Sequence, residues 1–162
     1  MADRLTRNAA LERLRAVSDE IVDRVTAVLP EWVLGEVGRI ADAWAGASGA
    51  AVDWESAARA AAAVVAERVG AELRALFASE PAAMARTPLE VVRTAVAEPT
   101  EVLVGIGIPP VDRDEFATRS WPDDRYGLMP ATLADLGDPA LGPLLLAWGM
   151  AKAAALRSDD TR

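Results

Sequence analysis

Residues 53–78, DWESAARAAAAVVAERVGAELRALFA, decide the fold because they have the composition and spacing of one long helix. Alanine has the highest helix propensity, and the small side chains of residues 57–66 allow a second helix to approach closely. We expect Asp53 to cap this helix and Trp54 and Phe77 to anchor its two ends. The predicted inward face consists of Trp54, Ala58, Ala61, Val65, Val69, Leu73 and Leu76.

The segment before this helix also has helical spacing. In residues 8–29 an apolar seam recurs at intervals of three and four, which is typical of one helix face. Its members are Leu11, Leu14, Ser18, Ile21, Val25 and Val28. The seam is either the core-facing side of a bundle helix or a coiled-coil interface that pairs two copies through its apolar members. We expect Asn8 to cap this helix, and Pro30 to start a second helix or to kink the first.

Further helices are predicted towards the carboxyl end. Thr87, Pro88 and Glu90 form a helix-start signal with a capping box. Residues 100–108 are the one strand-like run, but the preceding Pro99 favours a helical turn there. Leu133 and Leu136 are expected to face inward. A last helix over residues 140–157 should bury Leu141, Leu144, Leu145, Trp148, Ala151, Lys152 and Leu156.

Together these patterns predict one all-α domain with six or seven helices in a bundle-like arrangement. Residues 8–50 would form a long N-terminal helical arm or a hairpin. Residues 53–157 would form the helical core, and residues 158–162 a frayed tail.

The composition argues against several classes of function. Acidic residues outnumber basic ones by 25 to 17, and a net charge of −8 opposes binding to nucleic acid or to an anionic membrane. The absence of cysteine and histidine excludes disulfides, thiolate nucleophiles and imidazole bases. No apolar run approaches the roughly 20 residues of a membrane span. We expect a cytoplasmic protein without a cofactor or a metal, and the composition favours a role without catalysis while leaving an enzymatic one open.

A different kind of segment, residues 109–136, reads PPVDRDEFATRSWPDDRYGLMPATLADL. Aromatic and arginine side chains are typical anchors of binding sites, and this segment interleaves them with acids. The candidates for contact with a partner or a ligand are Arg113, Trp121, Asp123, Asp124, Arg125 and Tyr126. The alternative is a structural turn with Trp121 in the core. The carboxylates here do not have the spacing of a calcium loop, so no metal site is predicted.

Three motifs in this half of the chain carry a resemblance. They are PPVDRDEF at residues 109–116, PDDRYGLMP at residues 122–130 and WGMAKA at residues 148–153. Over about residues 98–155 the chain resembles a family of small uncharacterised actinobacterial proteins, and the resemblance implies no activity.

The function that the sequence favours is protein–protein interaction or assembly. In this interpretation Leu11, Leu14, Ile21, Val25 and Val28 would form a homodimer interface, and residues 121–126 could contact another protein. The alternative is a small-molecule-binding or enzymatic helical domain with its site around residues 112–126.

Overall fold

The computed structural model describes residues 2–49, 51, 53–96, 99–108 and 130–157, with side chains from residue 6 onward except at residues 99–101. Within these ranges the chain forms five α-helices and two 3₁₀ helices, and no strand. The α-helices are α1 (Ala2–Ser48), α2 (Glu55–Ala78), α3 (Pro88–Ala95), α4 (Pro99–Gly105) and α5 (Leu141–Arg157); the 3₁₀ helices are Pro81–Ala83 and Leu133–Leu136. The predicted all-α bundle with a long N-terminal helix is confirmed.

Helix α1 is the central helix of the bundle. Its 47 residues span about 70 Å at 1.5 Å per residue. From Leu14 to Ala41 it contributes buried apolar side chains to the core. Both α2 and α5 pack against it. Over this range α1 is therefore part of the core and does not project from it.

The start of α1 differs from the expectation, and of the two alternatives at Pro30 the start of a second helix is wrong. The helix begins at Ala2, so Asn8 is not its cap, and it continues through Pro30. A proline cannot donate the helical hydrogen bond to the carbonyl four residues earlier, here Thr26. Leu29 and Val33, on either side of the proline, are fully buried. Packing at both positions offsets the lost bond, and the structure does not contain the hairpin alternative for residues 8–50.

Helix α2 approaches α1 closely at two glycines. A Cβ atom added at Gly38 would lie 2.6 Å from the Trp54 ring, and one at Gly70 would lie 3.0 Å from Cγ2 of Thr26. Helix α1 is therefore the close neighbour of α2 at Trp54 and Gly70, which flank the alanine-rich run of residues 57–66. The buried face of α2 is Ala58, Ala62, Val65, Val69, Gly70 and Leu73.

The predicted cap of α2 was wrong. The N-cap position is occupied by Trp54, which makes no side-chain cap bond, and the Asp53 side chain is exposed. Trp54 already has helical backbone angles, with φ −100° and ψ −18°. Its ring packs on Gly38. The packing of Trp54 against α1 thus fixes the start of α2, whereas the sequence had predicted the Asp53 carboxylate as its cap.

The shorter elements follow the sequence patterns more closely. Thr87 and Glu90 form the predicted capping box at the start of α3. Residues 99–105 are helical, as favoured over a strand. Leu133 and Leu136 are buried beneath their 3₁₀ helix, which packs against α1 and α5. These contacts bring the chain back to the core immediately before α5.

Candidate interaction surface

The loop candidates cannot be placed. Arg113, Trp121, Asp123, Asp124, Arg125 and Tyr126 all lie outside the described residues. The first of the three family-like motifs, PPVDRDEF, also lies outside them. The third, WGMAKA, falls on α5. The described part of the chain that bears on function is therefore the helical core and its surface.

The seam on α1 is covered within its own chain. Leu14 is 3% exposed, while Ile21 and Val25 are completely buried. Leu11 and Val28, the other two members proposed for a dimer interface, are partly buried. Since α2 and α5 pack against α1, the seam serves as the core-facing side of the helix. It does not offer the exposed surface that a coiled-coil dimer would need.

Helix α5 differs from α1, because it has apolar side chains on its outer side as well as on the side that packs against the core. Its sequence LGPLLLAWGMAKAAALR contains two charged residues, Lys152 and Arg157. The face towards the core carries Leu141, Trp148, Ala151 and Ala155. On the outer side, Leu146 is 68% exposed and Met150 is 65% exposed. A helix that is apolar around its circumference is usually covered on all sides, so this outer face is unusual.

The outer face of α5 is shaped as an open groove of about 520 Å³. It is lined by Gly142, Leu145, Leu146, Gly149, Met150 and Ala153. Three of the lining residues are small (Gly142, Gly149 and Ala153) and three are large (Leu145, Leu146 and Met150). The groove is shallow and carries no charged residue. These properties fit the side of another helix better than a small molecule, which is usually enclosed.

The inner face of α5 is held by specific contacts. The Trp148 ring lies 6.0 Å from that of Phe77 on α2. Lys152 Nζ donates a hydrogen bond of 2.7 Å to the carbonyl of Met84 and lies 5.3 Å from the centre of the Trp148 ring. Trp148 and Lys152 of the WGMAKA motif thus have a packing role. They fix the rotation of α5 and therefore the direction of its outer face.

A charged contact fixes the start of α5. Arg24 Nη1 on α1 donates to Asp138 Oδ2 at 3.0 Å, and its Nε donates to Glu20 at 3.0 Å. Asp138 also accepts a bond from the backbone amide of Ala140. The Arg24 bond first, and the Ala140 amide second, lower the pKa of Asp138 from its ordinary value of 3.8. The same pairing raises the pKa of Arg24.

A second hollow lies between the N-terminal part of α1 and the end of α2. Its volume is about 180 Å³, and Arg15, Phe77 and Glu80 are among its lining residues. Small-molecule sites usually measure about 300–1,000 Å³. The described residues contain no group of three or more acidic side chains placed to hold a metal ion. Neither feature points to a ligand.

Comparison with known proteins gives no relative: no family model, curated protein or solved structure matches the chain. The resemblance to actinobacterial proteins remains a prediction. Among the described helices, none is long and apolar enough to cross a membrane.

The outer face of α5 was not singled out from the sequence. Spacing predicted one buried side for the last helix and left Leu146 and Met150 without a role. The available signal was a surplus of apolar residues: Leu144, Leu145 and Leu146 are consecutive, and no helix can turn three consecutive side chains to one side. A helix with one buried face leaves one of the three exposed.

Proposed function

We propose that this protein is a protein–protein interaction module that assembles with a second copy of itself through the outer face of α5. The observation that carries the proposal is the exposure of Leu146 and Met150 on a helix whose inner side is firmly packed. Burying one such side chain contributes about 1.5–3 kcal/mol, and a partner helix in the groove would bury both.

A second copy is the occupant we favour because of the distribution of charge and size. The groove has no charged group that would select a basic or acidic partner. It does contain large side chains, and nothing lies within 4 Å of a Cβ atom added at Gly149, so the same surface supplies both protruding residues and a space to receive them. Self-complementary surfaces of this kind produce two-fold dimers.

The size of the surface indicates weak association. Helix α5 has 17 residues and is about 25 Å long. One face of such a helix covers a few hundred Å², whereas a stable interface takes about 800 Å² from each partner. We therefore expect reversible dimers with a dissociation constant of roughly micromolar order or weaker.

The test compares two matched charge substitutions. In sedimentation velocity over a range of concentrations, the unmodified protein should dimerise and Leu146→Asp should remain monomeric. Val64→Asp is the control, because Val64 on α2 is also an exposed large apolar residue, at 58%. It should dimerise like the unmodified protein. Circular dichroism should show that both variants remain folded, since neither side chain is buried.

The proposal would be overturned by an unmodified protein that stays monomeric, or by a Leu146→Asp variant that still dimerises. The cytoplasmic location and a second contact through residues 121–126 remain predictions from the sequence.

A further inference from the structure

We infer that Gly149 is the point at which the two α5 helices approach each other most closely, and that a large side chain at this position would keep them from pairing. This inference rests on the proposed self-association and names the residue on which it depends. Gly149 is exposed and lies at the middle of α5, eight residues from Leu141 and eight from Arg157. A glycine in the interior of a helix destabilises that helix relative to alanine, so its presence there calls for a structural reason.

The two usual reasons for a glycine are absent at Gly149. Its backbone has no positive φ. No atom of the described residues lies within 4 Å of a Cβ atom added there. Gly38 and Gly70 differ, because a Cβ atom at either position would lie within 3.0 Å of another side chain. Within the described part of the chain, the fold therefore does not require a glycine at residue 149.

The surroundings of Gly149 supply a reason outside the chain. In close helix pairs, a side chain of one helix enters a hole between four residues of the other, at positions i, i+3, i+4 and i+7. The six groove residues make two such holes, which overlap at Leu146 and Gly149. The first hole is Gly142, Leu145, Leu146 and Gly149, and the second is Leu146, Gly149, Met150 and Ala153. Because Gly149 belongs to both holes, a side chain there would narrow both.

Gly35 on α1 shows why these surroundings matter. It is also exposed and inside a helix, it has no positive φ, and no described atom lies within 4 Å of its Cβ position. However, Glu31 and Arg39, one turn away on either side, are both exposed. A partner helix on Gly35 would have to desolvate these charges, whereas the holes around Gly149 are apolar. Gly35 is therefore the matched control position.

The experiment places alanine or leucine at each of the two glycines and measures association by sedimentation velocity. Leucine at residue 149 adds apolar surface, which would strengthen a contact that depends on apolar area alone. If the helices meet at Gly149, the same leucine fills both holes and holds the helices apart. We therefore expect Gly149→Leu to weaken dimerisation about tenfold or more, and Gly149→Ala to weaken it less. Gly35→Leu should dimerise like the unmodified protein.

Stability should change in the opposite direction from association. Gly149→Ala and Gly35→Ala each replace a helix-interior glycine where space is open. At concentrations at which the unmodified protein is monomeric, each should raise the Tm by about 1–4 °C in thermal unfolding followed by circular dichroism. Weaker association together with a higher Tm would distinguish a lost contact between copies from a damaged fold.

The outcomes separate the two proposals. If the unmodified protein dimerises and Gly149→Leu dimerises equally well or more tightly, the role of Gly149 is overturned while the α5 interface stands. A Gly35→Leu variant that weakens association as much as Gly149→Leu would also overturn that role, because the effect would not depend on the groove. A monomeric unmodified protein would overturn the proposed function itself.

Discussion

The seam on α1 and the outer face of α5 are both apolar stripes at helical spacing, but the fold covers the first and leaves the second exposed. The first is covered by two helices of the same chain, and Ile21 in its centre is fully buried. The second lies on a helix that is packed on its other side, and Leu146 is exposed. Helical spacing identifies which residues share a face. It does not identify what covers that face.

The largest expected effect is a loss of stability when the buried seam of α1 is given a charge. Ile21→Asp places a carboxylate in the apolar core, and it should destabilise the protein by more than about 4 kcal/mol because the charge is desolvated without a partner. Leu146→Asp should leave the free energy of unfolding almost unchanged. Urea denaturation followed by circular dichroism measures both. An Ile21→Asp protein that stays fully folded and becomes monomeric would show that the seam is an interface after all.

A smaller effect should appear where α1 meets α2. In Gly38→Ala the new Cβ atom would lie 2.6 Å from the Trp54 ring, so the ring must move. Overpacking of this kind costs about 1–3 kcal/mol. Gly35→Ala is the matched control in the same helix, because nothing lies within 4 Å of its Cβ position. It should stabilise the protein by about 0.5–1 kcal/mol.

Thermal unfolding and tryptophan fluorescence can be read on the same samples. Gly38→Ala should lower the Tm and change the tryptophan emission, to which Trp54 is one of five contributors. Gly35→Ala should raise the Tm and leave the emission unchanged. Equal effects of the two variants would mean that the contact between Gly38 and Trp54 does not fix the start of α2.

The smallest effect concerns the contact that fixes the start of α5. Because the pKa of Asp138 is lower in the folded protein than its ordinary value of 3.8, the ionised carboxylate stabilises the fold. This contribution is complete above the ordinary pKa and is lost as the pH falls through the folded pKa. The side chain of Arg24 is 41% exposed, so solvent screens the interaction and the effect should be modest.

The matched variant is Asp138→Asn. It should be less stable than the unmodified protein at neutral pH, and the difference between them should shrink below about pH 4. Urea midpoints measured at several pH values check this. A difference that stays constant down to pH 2 would mean that the ion pair with Arg24 contributes no stability.

Much of the fold could be predicted from local patterns. The extent of α2 to Ala78, the capping box at Thr87 and the inward direction of Leu133 and Leu136 each follow from residues close together in the chain. The errors came from distant contacts. Asp53 had the side chain of a cap, but Trp54 packing on α1 determines where α2 begins. Of the two alternatives at Pro30, the start of a second helix was wrong: α1 continues through Pro30, with buried neighbours on both sides.

The candidate surface was harder to predict for the same reason. The sequence placed Leu144 and Leu145 on the buried side of the last helix; both are partly buried, but Leu145 also lines the groove on the outer face. Which of the remaining faces stays open depends on where α1 and α2 lie. The bond between Arg24 and Asp138, which are 114 positions apart, likewise cannot be predicted from local spacing. Tertiary contacts decide which apolar residues remain available for a partner.

The most direct test of self-association through α5 is sedimentation equilibrium of the unmodified protein at two salt concentrations. We predict a mass that rises from 17.1 kDa towards twice that value as concentration increases. The rise should be steeper at about 0.5 M than at about 0.05 M salt, because screening weakens the repulsion between two chains of charge −8. A mass that stays at 17.1 kDa at every concentration, or association that salt abolishes, would contradict an apolar interface between two copies.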